Sequence, residues 1–120
     1  MTTYKQVRHS ESGQVLIPKA KWCTSFGEKL GFSFQRRLGE NEGLVLAYGK
    51  DNRVDTSITM LFTFFDLAAI WVNGAGEVVD TVHAKTWRLS YVPQIPARYV
   101  IEGQPRLLQQ VKIGDHIEFV

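Results

Sequence analysis

Residues 67–84 read LAAIWVNGAGEVVDTVHA: two runs rich in β-branched and aromatic side chains, separated by Asn73-Gly74-Ala75-Gly76. Asn-Gly tolerates the positive φ angles that tight hairpin turns require, so the stretch reads as two antiparallel strands and their turn. The same pattern extends in both directions. GLVLAY (43–48), RVDTSITMLFTF (53–64), ARYVIE (97–102) and HIEFV (116–120) are short runs of strand-forming residues set off by Gly, Asn, Asp and Pro. Near the start, TYKQVRH and QVLIP flank Glu11-Ser12-Gly13, a tight reversal between two further strands.

One segment has a different period. Trp22, Phe26 and Leu30 recur four apart with Cys23 beside them, while Lys21, Glu28 and Lys29 fall on the other side, the stripe of an amphipathic helix. The alternative is a capping box between Ser25 and Glu28, in which case the helix starts later; Gly31 is a plausible stop. The resulting expectation is a mainly β, α+β fold: a small antiparallel barrel or sandwich-like sheet with one covering helix near residues 20–30, in a single domain over residues 1–120.

With 120 residues, 44% apolar and 22% charged, the composition is that of a soluble globular domain able to bury its own core. Cys23 is the one cysteine, which rules out an internal disulfide. His9, His83 and His116 are widely spaced, and no metal-ligand pattern, G-x-S-x-G elbow, glycine-rich phosphate loop or pair of carboxylates occurs, so neither a metal nor another cofactor is expected. A net charge of +2 gives a weak long-range field, which disfavours nucleic acid as a partner. The opening MTTYKQVRHS lacks an apolar signal core, and no apolar run approaches the roughly 20 residues of a membrane helix. Cytoplasmic residence away from membranes is the expectation.

The order of several short elements resembles the prokaryotic family known as domain of unknown function 192. These are Gly31-Phe32, Arg36 or Arg37, Gly43-Leu44, an aromatic and aliphatic run leading to Gly76-Glu77-Val78-Val79, then Thr86-Trp87-Arg88, an Ala-x-x-Val-x-Glu strand ending at Glu102, and Gly114-Asp115. The likeness runs from about Ala20 to the C-terminus. It implies one small, mainly antiparallel β domain and brings no established activity, cofactor or substrate. The acid of the family's long strand falls on Ala68 here, with Asp66 two positions earlier, and a histidine sometimes found upstream falls on Thr59.

Three places invite a functional reading. Asp66 interrupts the apolar run 60–72; one continuous strand from Ile58 to Val72 would span roughly 50 Å, longer than a small domain is wide. The strand therefore breaks, and Asp66 beside the break reads first as a cap on neighbouring backbone groups, then as the partner of Arg88 or Arg53, and last as a catalytic acid. Trp87, Arg88 and Tyr91 join an indole and a guanidinium on a proline-bounded segment, able to stack on a ligand or grip an anion; the blander alternative places Trp87 in the core with Arg88 paired internally. Arg36 and Arg37 beside an acidic turn offer a phosphate contact or a solvated bend. The leading expectation is a non-catalytic binding module contacting a protein or small molecule around Trp87, Arg88 and Tyr91. The alternatives are an enzyme using Asp66 and Arg88 in a pocket, and a weak single-stranded nucleic-acid binder stacking bases on Trp87, Tyr91 and Tyr99.

Overall fold

A computed structural model describes residues 2–25 and 28–120. Among them, seven strands form one sheet: β1 (Thr3–His9), β2 (Val15–Cys23), β3 (Gly43–Asn52), β4 (Leu67–Val72), β5 (Val78–Ala84), β6 (Ala97–Gly103) and β7 (Ile117–Phe119). Their order across the sheet is β5-β4-β6-β3-β2-β1-β7. The sheet curls into a half-barrel. Gly114 N–H donates to Val78 O, Val78 N–H to Asp115 O and Ile117 N–H to Gly76 O, so the first strand in this order meets the segment entering the last.

The hairpin that anchors this reading is present, with Ile70 opposite Thr81 and Val72 opposite Val78. Its turn works differently from the expected Asn-Gly reversal: Gly76 takes the positive φ of 88°, while Asn73 Oδ1 accepts from the Ala75 and Glu77 N–H groups. β1 and β2 form the expected second hairpin. One pairing departs from an all-antiparallel sheet. β2 and β3 run parallel, Lys21 opposite Leu44, and adjacent parallel strands need a long crossover, for which the chain between Cys23 and Gly43 has the length.

Among the described residues no covering helix forms near residues 20–30. Lys21–Cys23 instead completes β2, with Thr3 opposite Trp22 on one side and Trp22 opposite Val45 on the other. Trp22 packs on one face of the sheet and Cys23 on the other, as neighbours on a strand must, whereas a helical stripe would place them together. Phe26, the middle residue of the expected stripe, lies outside the described residues. The capping box does form: Glu28 N–H donates to Ser25 Oγ and Ser25 N–H to Glu28 Oε1. It starts only a 3-10 turn, Glu28–Leu30, which Gly31 ends at φ 63°. A second such turn, Pro105–Gln109, sets Leu107 against one face of the sheet.

The sheet separates two apolar clusters. One gathers Val7, Ile17, Val45, Ile70, Ile101 and Leu107; the other gathers Phe32, Leu46, Met60, Leu67, Trp71 and Val100. Irregular segments rather than a helix cover this second face. Residues 53–64, expected as a strand, are one of them: Ile58 makes a single bridge, to Tyr91, and the buried Trp71 Nε1 donates to Thr56 O at 2.7 Å. An indole N–H buried on a sheet needs an acceptor, and a turn supplies a free carbonyl where a paired strand would not. Among the described residues no helix is long and apolar enough to cross a membrane.

Candidate functional site

Two irregular segments meet over the second face of the sheet. Ile58 and Tyr91 exchange backbone hydrogen bonds in both directions, Met60 N–H donates to Arg88 O, and Trp87 N–H donates to Met60 O at 3.0 Å. The segment 87–91 thereby clamps residues 58–60 against the sheet. Asp66, immediately before β4, secures the clamp from the other side: its Oδ1 accepts from Thr86 N–H at 3.0 Å and its Oδ2 lies 2.9 Å from His83 Nε2 on β5. The hydrogen bond from His83, then that from Thr86, holds the Asp66 carboxyl below its ordinary value. Tyr91 is half-buried, and its hydroxyl accepts from Lys85 N–H.

Outside the clamp stands an exposed aromatic plate. Phe34 stacks on Phe62 with centroids 5.0 Å apart, and Phe62 and Phe64 meet Trp87 edge-on at 5.3 and 5.6 Å. Phe34, Phe62 and Trp87 have φ of 70°, 61° and 63°, the left-handed region, which costs a bulky residue roughly 1–2 kcal/mol. These are the described non-glycine residues with positive φ. The strain has a local cause: turning the chain this way lets Phe34 N–H reach Phe62 O at 2.8 Å and Trp87 N–H reach Met60 O.

Inside the clamp lies a pocket of about 110 Å³, lined by Phe32, Leu46, Tyr48, Met60, Leu67 and Glu102 among others. Glu102 comes from β6 and points to the same side as Val100, into the apolar cluster, because side chains alternate along a strand. It is buried, its carboxylate has no hydrogen-bond or ion-pair partner among the described residues, and desolvation pushes it up to about 7. Gly31 leaves room for it: a Cβ there would lie 3.0 Å from Glu102 Oε1. At the rim, Lys29 Nζ sits 3.9 Å from the centre of the Tyr48 ring. Burial raises the Tyr48 hydroxyl, with the Glu102 charge adding to the effect.

Of the residues singled out by sequence, Asp66, Trp87, Arg88 and Tyr91 are brought together, but chiefly as the clamp. Neither Asp66 nor Arg88 lines this pocket, so the pair does not form the acid and guanidinium of a shared cavity. Arg36 is exposed two residues beyond Phe34 and has no described partner. Tyr99 packs against Trp22 and Phe119 on the opposite face of the sheet, so the three-aromatic stacking platform with Trp87 and Tyr91 does not assemble. Among the described residues no three His, Cys, Asp or Glu side chains cluster to hold a metal ion. Sequence reasoning missed Glu102 as a site residue. Its signal was an acid on the inward face of the apolar strand ARYVIE.

The family model for domain of unknown function 192, described as "Uncharacterized ACR", matches residues 9–119. A UPF0127 protein of Thermococcus gammatolerans is 37% identical over 81 residues, covering 66% of this chain and 52% of the relative. A UPF0127 protein of Pyrococcus abyssi is 30% identical over 94 residues, covering 77% and 79%. The chain thus spans about half the length of the first of these relatives. A solved structure from Sinorhizobium meliloti, described as a candidate transcription regulator, superposes with a TM-score of 0.82 at 17% identity over 98% of this chain and 95% of its own. One from Novosphingobium aromaticivorans, of unknown function, gives 0.79 at 20% over 98% and 84%. At these identities the likeness is one of fold.

Proposed function

Because the chain belongs to the domain of unknown function 192 family, whose description assigns no activity, its function has to be read from its own geometry, and we propose a non-catalytic module that binds a small molecule in the Glu102 pocket. The reading takes the 120 residues as one domain. One observation carries it: a buried carboxylate, without a partner among the described residues, lines a pocket whose other walls are mostly apolar and hydroxylic. Burying an acid this way is unfavourable, and a structure that keeps it at a cavity wall has the arrangement of a recognition group. Trp87, Arg88 and Tyr91 enter as the clamp that fixes the pocket wall at Ile58–Met60, and Asp66 as the anchor of that clamp. About 110 Å³ suits a molecule of a few heavy atoms and is too small for a nucleotide.

Soaking crystals of the protein with a library of small polar fragments tests this. Fragments ordered against Glu102 and Met60 are the expected result; fragments ordered only at other surfaces would remove the proposal. The aromatic plate favours a second role for the same region. Exposed rings carried on strained backbone at Phe34, Phe62 and Trp87 suit contact with an apolar surface of a protein partner. A displayed peptide library panned on the wild type and on Trp87→Gly should enrich binders only on the wild type; equal enrichment on both would dismiss the plate as a contact surface.

A further inference from the structure

The walls of the Glu102 pocket narrow the class of molecule it takes, and this step rests on the pocket being a ligand seat. Glu102 offers acceptors and no fixed donor when ionised. The hydroxyl-bearing Ser33, Ser57, Thr59 and Thr63 add further acceptors, and Phe32 and Tyr48 contribute aromatic rings. The chain's own ammonium shows what those rings accept: Lys29 Nζ rests on the Tyr48 face yet makes no ion pair with Glu102 among the described residues. Lys29 is half-buried at the rim, where solvent screens its charge, whereas Glu102 is buried and screened little. With Glu102 ionised, the field a ligand meets at the pocket floor is therefore negative.

We infer that the pocket takes a small organic cation: a primary ammonium hydrogen-bonded to the Glu102 carboxylate, carrying a short apolar body packed on Leu46, Met60 and Leu67. An ammonium has three donors for the carboxylate and the neighbouring hydroxyls, and its charge offsets the burial of the acid. A carboxylate ligand would face Glu102 as a like charge, and a neutral alcohol would leave it uncompensated.

Binding of this kind draws on the ionised form of Glu102, so it weakens as pH falls through about 7. The titratable groups around Glu102 are Cys23 on β2, Glu28 and Lys29 in the first 3-10 turn, and Tyr48 on β3; the segment 57–63 adds none. Burial pushes the Cys23 thiol up to about 11 and raises Tyr48, while hydrogen bonds from Ser25 and Thr24 lower Glu28. Among Cys23, Glu28, Tyr48 and Glu102, it is Glu102 whose charge changes between pH 6 and 8.

The test uses n-butylammonium, n-butanol and n-butyrate as probes in calorimetric titrations of the full chain, with the Met60 methyl resonance reporting the location. The expected result is saturable n-butylammonium binding at Met60, about tenfold weaker at pH 6 than at pH 8 because only the ionised fraction of Glu102 is competent. The other two probes should bind at least tenfold more weakly, and Glu102→Gln should lose at least tenfold for the amine. Butanol or butyrate binding at Met60 as tightly as the amine overturns the cation assignment while leaving the pocket as a seat. Absence of binding by all three overturns both. If Glu102→Gln fails to fold, the wild-type pH profile decides alone, and a flat profile refutes the inference.

Discussion

Replacing Glu102 with Gln should stabilise the protein, and by an amount that depends on pH. Burial lifts the carboxyl from an ordinary value near 4.5 to about 7. Below pH 4.5 the acid is protonated in both folded and unfolded chains, so its burial then carries no ionisation penalty. Between 4.5 and about 7 the unfolded chain has released the proton while the folded chain keeps it, so stability falls as pH rises; above about 7 the loss is complete. At about 1.4 kcal/mol per pH unit, the gap amounts to about 3 kcal/mol. Gln has nearly the shape of the protonated acid and does not ionise. The two proteins should therefore lie within about 1 kcal/mol of each other at pH 4, with the variant ahead by about 3 kcal/mol at pH 8, or about 10 °C in melting temperature for a chain of this size. Urea unfolding of both proteins at pH 4, 6 and 8 measures the difference, and the other carboxylates cancel in the comparison. A stability difference that does not change with pH would show that Glu102 is ionised and compensated within the fold, and the reasoning that makes it a recognition group would fail.

Further consequences concern the backbone around the site. Gly31→Ala should lower stability by about 1–2 kcal/mol in chemical denaturation, because a side chain at φ 63° is strained and its Cβ meets Glu102 Oε1 at 3.0 Å; an unchanged midpoint would contradict the close approach. Phe34→Gly should be more stable than Phe34→Ala by about 1 kcal/mol, the reverse of the usual order, since only glycine relieves the left-handed strain; Ala equal to or above Gly would remove that strain from the account. Asp66→Ala should lower stability by about 1 kcal/mol near neutral pH through loss of the cap on Thr86. Because the Asp66 carboxyl is held below its ordinary value, its contribution is present above about pH 4 and is lost on acidification; a deficit in the Ala variant that persists undiminished at pH 2 would contradict this.

The strands were largely legible because their signal is local. LAAIWV and EVVDTVHA are rich in apolar and β-branched residues on either side of the Asn73–Gly76 turn, and β4 and β5 occupy those residues with little change at their ends. The expected helix failed because Trp22, Phe26 and Leu30 share a spacing of four with a helical stripe, while the partner that decides the matter, Val45 on β3, lies across a long connection. Local periodicity does not register a partner so distant in sequence. Residues 53–64 misled for the opposite reason: they are rich in strand formers, yet Trp71 needs a carbonyl from Thr56, so the chain turns there. At the site, length arithmetic placed a break between Ile58 and Val72, and β4 begins at Leu67, directly after Asp66. Glu102 escaped notice because what makes it unusual is desolvation, a property of Phe32, Leu46 and Met60 arriving from three different segments.

The claim that the Glu102 pocket seats a small molecule is tested most directly at Met60. Met60 is buried in the pocket wall, so in protein carrying methyl-labelled methionine its resonance reports on that wall. In a titration with small polar fragments, the account predicts saturable shifts of the Met60 methyl that disappear in Glu102→Gln. A Met60 resonance that stays fixed while fragments bind elsewhere on the protein would contradict it.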